Sequence, residues 1–191
     1  SLCYQLPAIM MGGLCLVITP LIALMKDQCQ SLKKKGLSAA YISAGMDKED
    51  VEDVYIQCLH GKINFLYISP ERLRSELFID YLQDWPVSLI AVDEAHCISQ
   101  WGYDFRPSYL EIANIRQYHA HVPMLALTAS ATIEVQNDII AKLNFKKATR
   151  NRLCEGIVLP KKGMNSYSSA TSRRKVTCSF VEGKACRGLC G

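Results

Sequence analysis

Five short apolar runs alternate with segments of helical period along the first 145 residues of the chain. The runs show no alternation of apolar and polar residues, which is typical of strands buried on both faces. They are residues 14–18, 39–42, 65–68, 89–92 and 124–127. Apolar residues recur every three or four positions in 21–35, 48–59, 71–82, 109–118 and 133–143. This order predicts an α/β fold, a mostly parallel sheet with helices on both faces.

The composition is that of a globular protein. The chain has 191 residues, 49% of them apolar, enough for about one domain with a sizeable core. The longest apolar stretch, residues 9–25, is interrupted by turn formers and is shorter than the roughly 20 residues of a membrane span. We therefore expect neither a disordered chain nor a membrane protein.

Charge and cysteine divide the chain near residue 150. The net charge is +4, but residues 1–150 hold 14 basic and 16 acidic residues, whereas residues 151–191 hold 8 basic and 2 acidic ones. Single cysteines lie in apolar runs of the first part, and no secretory signal opens the chain, which favours a reduced cytoplasmic protein. The basic charge cannot be credited to the body of the protein.

Polar residues follow four of the five predicted strands directly. The first strand runs into Thr19 and Pro20, the third into residues 69–72, the fourth into Asp93 and Glu94, and the fifth into residues 128–132. The carboxyl ends of parallel strands meet at one edge of a sheet, so these residues should converge on one crevice. For Thr19 and Ser69 a helix cap is the alternative interpretation.

Two adjacent carboxylates at the end of a buried strand repel each other and need a positive partner. Magnesium with a nucleotide phosphate is the simplest one, because Mg²⁺ is held by few carboxylates plus substrate oxygens. Asp93 would then hold the metal and its waters, and Glu94 would orient and deprotonate the attacking water.

The segment 93–109, DEAHCISQWGYDFRPSY, resembles the second helicase motif of RecQ-type DNA helicases with the aromatic-rich loop that follows it. We call residues 95–109 the aromatic loop. Three further segments resemble motifs of that family in the same order: VITPLIALMKDQ at 17–28, YISPERL at 67–73 and LTASAT at 127–132. The resemblance covers residues 1–147 and implies the first RecA-like, ATP-binding lobe of a 3′-to-5′ DNA helicase of recombination and repair.

The resemblance also implies roles for individual residues. Ser1 would be the terminal hydroxyl of a phosphate-binding loop, a ligand of ATP and of Mg²⁺. Residues that couple DNA binding to ATP hydrolysis would be His96, Gln100, Trp101, Phe105, Arg106, Ser130 and Thr132. Residues that contact DNA would be Thr19, Pro20, Ser69, Arg72, Trp101, Phe105 and Arg106.

Alternatives remain for several of these residues. His96 could be a hydrogen-bonded core group, and Trp101 and Phe105 could anchor the aromatic loop on the core. His60, His119 and His121 have no metal-ligand spacing and should lie at the surface. A P-loop enzyme of another class, such as a transporter ATPase, would not have SQWGYDFRP after its acidic pair.

The resemblance implies partners and a location as well. We expect single-stranded and forked DNA as substrates, no membrane, and a bacterial, nucleoid-associated protein of the cytoplasm. The glycines and lysine of the phosphate loop and the second helicase lobe are not in the sequence, so we expect a fragment that is inactive by itself. A non-catalytic module for single-stranded DNA is the alternative function.

Residues 148–191 do not share the resemblance and should form a weakly structured basic tail. Four cysteines of the tail are separated by 23, 7 and 3 residues, a spacing that does not favour zinc. A frameshift near residue 150 would explain both the charge and the cysteines, and the nucleotide sequence would test it.

Overall fold

A parallel β-sheet forms the centre of the chain. The structure, a computed structural model, describes residues 2–145 and the backbone of residues 149–154 and 176–182. Five strands run parallel in the order β2-β3-β1-β4-β5. They are β1 (Leu14–Ile18), β2 (Ala39–Ile42), β3 (Phe65–Ile68), β4 (Val87–Val92) and β5 (Met124–Thr128). Each contains one of the predicted runs, so the predicted parallel sheet is confirmed.

Helices cover both faces of this sheet. The α-helices are α1 (Leu2–Met11), α2 (Ile22–Lys34), α3 (Lys48–Leu59), α4 (Glu76–Leu82) and α5 (Ile133–Lys142). Side chains of β1 alternate between two apolar clusters: Leu16 belongs to the cluster that includes residues of α3, α4 and α5, and Val17 belongs to the cluster that includes residues of α1 and α2. Both faces are therefore buried, which is why the strand sequences lack a polar face.

The predicted helix 71–82 is two elements. A 3₁₀ helix, Pro70–Arg74, precedes α4, and Ser75 separates them because its side chain accepts a hydrogen bond from the Phe78 amide, as an N-cap does. The predicted helix 109–118 also differs, since Pro107–Gln117 is wound as a 3₁₀ helix.

Two segments of the basic tail extend the sheet. β7 (Val176–Glu182) pairs antiparallel with β5, and β6 (Thr149–Cys154) pairs antiparallel with β7. The described backbone of the tail is limited to these two segments. The residues around position 147, and with them the predicted domain boundary, lie outside the described part of the chain, as does the rest of the tail.

Two further expectations concern burial. His119 is buried, and its Nε2 lies 2.7 Å from the Leu82 carbonyl oxygen, so its prediction as a surface residue was wrong. Within residues 2–145, 149–154 and 176–182, no helix is long and apolar enough to cross a membrane.

Candidate active site

The carboxyl ends of the central strands lie side by side at one edge of the sheet. The Thr19 amide donates to the Ile68 carbonyl at 3.1 Å, and the Asp93 amide donates to the Ile18 carbonyl at 2.8 Å. These two bonds bring the residues that follow β3, β1 and β4 next to one another. Thr19 and Asp93 therefore lie side by side at this edge of the sheet.

The chain turns sharply at the acidic pair. Glu94 has the left-handed backbone angles φ 48° and ψ 43°, which are uncommon for a residue with a side chain. The Glu94 amide donates to Asp93 Oδ1 at 3.0 Å, which holds the turn, and the 3₁₀ helix Ala95–Ile98 follows it. A strained turn that places two carboxylates at a strand end is typical of a functional site.

Among the described residues, the acidic pair has a basic partner in His96, whose Nδ1 lies 3.3 Å from Glu94 Oε2. Burial raises the pKa of Asp93, and the neighbouring Glu94 raises it further. No lysine or arginine of residues 2–145 lies within ion-pair distance of either carboxylate. A partly buried carboxylate pair without a lysine or arginine partner is a favourable place for a divalent cation.

A cation here would need ligands beyond this pair. In the part of the chain that the structure describes, no three histidine, cysteine, aspartate or glutamate side chains are grouped as metal ligands. Few protein ligands are normal for Mg²⁺, which usually keeps several waters and binds substrate phosphates. The donor set thus fits a magnesium–nucleotide complex better than a metal held by protein alone. Ser1, the other predicted ligand, lies outside the described residues.

His96 connects the acidic pair to the end of β5. Its side chain is 2% exposed, and its Nδ1 lies 3.0 Å from Thr128 Oγ1 and 3.3 Å from Glu94 Oε2. The Thr128 hydroxyl donates its own proton to the Ser130 carbonyl at 3.1 Å. It therefore accepts from His96, which places a proton on Nδ1 that also faces the Glu94 carboxylate. His96 is therefore a buried hydrogen-bonded group, as the alternative interpretation states, and its coupling role stays a prediction.

The predicted coupling residues of segment 127–132 have different surroundings. The Ser130 amide donates to Thr128 Oγ1 at 3.3 Å, while its side chain is exposed. Thr132 is the N-cap of α5, where its Oγ1 accepts from the Val135 amide at 3.4 Å. Thr128, which the sequence did not single out, contacts His96 directly.

The aromatic loop presents two of its rings to solvent. Trp101 is 76% and Tyr103 is 79% exposed, while Phe105 and Arg106 are half-buried and Gln100 is exposed. Because Trp101 is exposed, it does not anchor the aromatic loop on the core, which was the alternative interpretation. The Tyr103 ring stacks on the His96 ring, with centroids 4.6 Å apart and planes 23° from parallel. Tyr103 thus joins the exposed loop to the buried histidine.

Charged and hydroxyl groups hold the rest of the aromatic loop. Arg106 donates to Asp104 Oδ2 from Nε at 3.3 Å and from Nη2 at 3.2 Å. Tyr109 is a core residue and not a stacking surface, since its buried hydroxyl donates to the Asp93 carbonyl at 2.9 Å. The end of the loop is therefore bonded to the same turn as the acidic pair.

The predicted DNA contacts before the aromatic loop lie at the same sheet edge but differ in accessibility. Within residues 2–145 the Thr19 hydroxyl is buried and has no hydrogen-bond partner, so its placement does not favour direct contact with DNA. Pro20, Ser69 and Arg72 are half-buried. Beside them, the Glu71 carboxylate accepts from Ser108 Oγ at 2.9 Å. Burial would raise the pKa of Glu71, but hydrogen bonds from its own amide and from the Ser108 and Ser69 side chains outweigh burial and lower it.

Comparison with known proteins identifies the family. The DEAD/DEAH box helicase family matches residues 1–139, which is most of the chain. The chain belongs to the DEAD/DEAH box helicase family. This helicase chain is 47% identical over 185 residues to the ATP-dependent DNA helicase RecQ of Bacillus subtilis, an alignment that covers 96% of the chain and 29% of that relative. It is 42% identical over 146 residues to the RecQ helicase of Haemophilus influenzae, covering 76% of the chain and 24% of the relative.

These relatives confirm the resemblance to RecQ-type helicases. The fold is similar to that of the Pyrococcus furiosus Hef helicase domain, with a TM-score of 0.55 and 21% identity over 75% of this chain and 30% of that one. This likeness confirms the RecA-like fold. The helicase chain spans less than a third of the length of the relatives described above. The alignment with the B. subtilis protein includes part of the tail, beyond residue 147.

Proposed function

We propose that this chain is the nucleotide-binding lobe of a RecQ-type, ATP-dependent 3′-to-5′ DNA helicase that acts on single-stranded and forked DNA in recombination and repair. One observation carries the proposal: His96 touches Glu94, Thr128 and Tyr103 at once. A single buried ring thus connects the candidate hydrolytic carboxylate to an exposed aromatic surface. The names of the relatives, ATP-dependent DNA helicases, support the same activity.

On the nucleotide side, Asp93 would hold Mg²⁺ together with Ser1, and Glu94 would act as the base. Magnesium bound with ATP supplies charge neutralisation at the phosphates. The raised pKa of Asp93 and the absence of a lysine or arginine partner among residues 2–145 support a cation at this position. His96 Nδ1, 3.3 Å from Glu94 Oε2, holds that carboxylate in one orientation, as a base that accepts a proton from water requires.

On the DNA side, the exposed rings of Trp101 and Tyr103 would stack on unpaired bases. Such stacking contributes about 1–3 kcal/mol per base and is indifferent to sequence. Arg72 and Arg106 supply positive charge nearby, although Arg106 is partly neutralised by Asp104. A helicase that moves along any single strand needs this kind of sequence-tolerant contact, and a chromosomal substrate would place the protein in the bacterial nucleoid.

The test uses a chimera in which residues 1–139 of this chain replace the matching segment of the B. subtilis RecQ relative. The rate of ATP turnover by the chimera is measured with and without single-stranded DNA. Glu94→Gln should abolish both rates while DNA binding persists, and Glu49→Gln, at an exposed glutamate of α3, should change neither. Trp101→Ala should lower the DNA-stimulated rate more than the basal rate. Undiminished turnover in Glu94→Gln, or equal loss of both rates in Trp101→Ala, would contradict the proposal.

The chain by itself should neither hydrolyse ATP nor unwind DNA, because it spans 29% of its B. subtilis relative. A non-catalytic module for single-stranded DNA is the second candidate, and the exposure of Trp101 and Tyr103 favours it. Salt-dependent binding of a single strand, unchanged by ATP in the grafted helicase, would support the module over the motor.

A further inference from the structure

We propose that Asp138 and Lys142, one turn apart on α5, are positioning residues that hold the aromatic loop in the shape that meets single-stranded DNA. Neither residue belongs to the segments that resemble helicase motifs. The inference rests on the proposed function only for the identity of the ligand. The contacts of Asp138 and Lys142 with the aromatic loop, which we call the anchor, do not depend on the proposed function.

The first contact is between Asp138 and Ser99. Ser99 is fully buried at the start of the exposed part of the loop, and its Oγ donates to Asp138 Oδ2 at 2.7 Å. Ser99 Oγ also accepts a hydrogen bond from the Trp101 amide at 3.2 Å. A hydrogen bond to a carboxylate is among the stronger kinds in proteins. Asp138 thus fixes the hydroxyl that fixes the backbone of Trp101.

The second contact comes from Lys142. Its Nζ donates to the Ile98 carbonyl at 3.2 Å and lies 5.8 Å from the centroid of the Phe105 ring, within the range of a cation–π interaction. It also pairs with Asp138 at 3.3 Å, so each side chain holds the other in place. The pair touches the loop on both sides of its exposed rings.

The position of α5 in the chain gives the anchor its significance. The helix begins at Ile133, directly after its N-cap Thr132, and therefore continues the segment whose Thr128 contacts His96. The aromatic loop is joined to this part of the chain at two places. His96 contacts Thr128, which precedes α5, and Asp138 and Lys142 of α5 contact Ser99, Ile98 and Phe105. A displacement of segment 128–132 would move the loop through its helix as well as through the histidine.

The first experiment measures the order of the loop in the 191-residue chain by chymotrypsin cleavage after Trp101 and Tyr103. Asp138→Ala should raise the initial cleavage rate by about tenfold, since a charge-assisted hydrogen bond is lost. Asp138→Asn keeps an acceptor for Ser99 and should give a smaller increase. Lys142→Met should raise the rate and Lys142→Arg should restore it in part.

Matched controls are available on other helices. Asp53→Ala changes an exposed aspartate at the sixth position of α3, as Asp138 is the sixth residue of α5, and Lys34→Met changes an exposed lysine in the last turn of α2. Both should cleave like the unaltered chain. Ser99→Ala combined with Asp138→Ala should raise the cleavage rate by less than the product of the two single increases, because both changes remove the same bond between Ser99 and Asp138.

The second experiment follows the fluorescence of Trp101 during titration with an oligothymidylate. The other tryptophan, Trp85, is buried and bonded to the Tyr55 carbonyl, so quenching reports on Trp101. Asp138→Ala should weaken binding at least about fivefold at a temperature where circular dichroism shows that the variant is folded. Lack of quenching in the unaltered chain would contradict the proposed DNA contact, and cleavage would still decide the anchor. Cleavage rates equal to those of the controls, in folded Asp138→Ala and Lys142→Met variants, would overturn the inference.

Discussion

Two buried tyrosines provide a matched test of how the acidic turn is held. Tyr109 and Tyr55 are both fully buried, but only one of their hydroxyl groups has a partner. The Tyr109 hydroxyl donates to the Asp93 carbonyl at 2.9 Å, whereas the Tyr55 hydroxyl has no hydrogen-bond partner within the described residues. Replacement of each by phenylalanine removes one oxygen atom and leaves the ring in place.

The two replacements should change the free energy of unfolding in opposite directions. Tyr109→Phe loses a hydrogen bond and leaves a buried carbonyl without this partner, a cost of about 1–3 kcal/mol. Tyr55→Phe removes a buried hydroxyl that is unsatisfied in the folded state, so the variant should be unchanged or more stable by about 1 kcal/mol. At about 2–4 °C per kcal/mol for a chain of this size, Tyr109→Phe should melt about 4–8 °C lower for a loss of about 2 kcal/mol.

Thermal unfolding and urea unfolding, both followed by circular dichroism at pH 7, measure these differences. The urea midpoint should shift without a change in slope if only the folded state is affected. Equal destabilisation by the two replacements would refute the reasoning, because it would mean that the hydrogen bond to the Asp93 carbonyl does not distinguish the Tyr109 hydroxyl from the Tyr55 hydroxyl.

Three further predictions use the same chain. Gly102→Ala would place a Cβ 2.7 Å from the His96 carbonyl oxygen, so we expect destabilisation and faster chymotrypsin cleavage of the aromatic loop, and an unchanged cleavage rate would contradict the packing. Burial and Glu94 raise the pKa of Asp93, so ionisation of this carboxyl lowers the free energy of unfolding as pH rises through that pKa. Asp93→Asn should therefore be more stable to urea than the unaltered chain at pH 7, and the difference should vanish below about pH 4. Burial raises the pKa of Cys58 to about 12, so iodoacetamide at pH 8 should label this thiol only in urea, as mass mapping would show.

The parallel strands could be predicted because burial on both faces leaves a local signal in the sequence. Each strand is a continuous apolar run, and the polar residues after it mark its end. The strand segments of the tail carry no such signal. β7 pairs with β5, about 50 residues earlier in the chain, and β6 is polar, so their pairing depends on long-range contacts that no local pattern encodes.

The same limit applies to the site. Asp93 and Glu94 are recognisable because adjacent carboxylates at the end of an apolar strand are unfavourable without a purpose. Thr128 and Asp138 are ordinary residues in the sequence, and only the packing of β5 and α5 against the 3₁₀ helix Ala95–Ile98 brings them to His96 and Ser99. The prediction of His119 as a surface residue was wrong for a similar reason, because its partner is the backbone carbonyl of Leu82 in α4, which is distant in the sequence.

The contacts of the site close into a ring. Glu94 contacts His96, and His96 contacts Thr128. The chain continues from Thr128 into α5, where Asp138 binds Ser99. The backbone from Ser99 back to Glu94 completes the ring. In an open path, a shift at one end is absorbed by the first weak contact. In a closed ring the two ends are tied, so a displacement of Glu94 must either break a side-chain bond or move α5 and the aromatic loop together. These contacts join Glu94 to the surface where Trp101 is exposed, which is what the proposed coupling of hydrolysis to DNA binding requires.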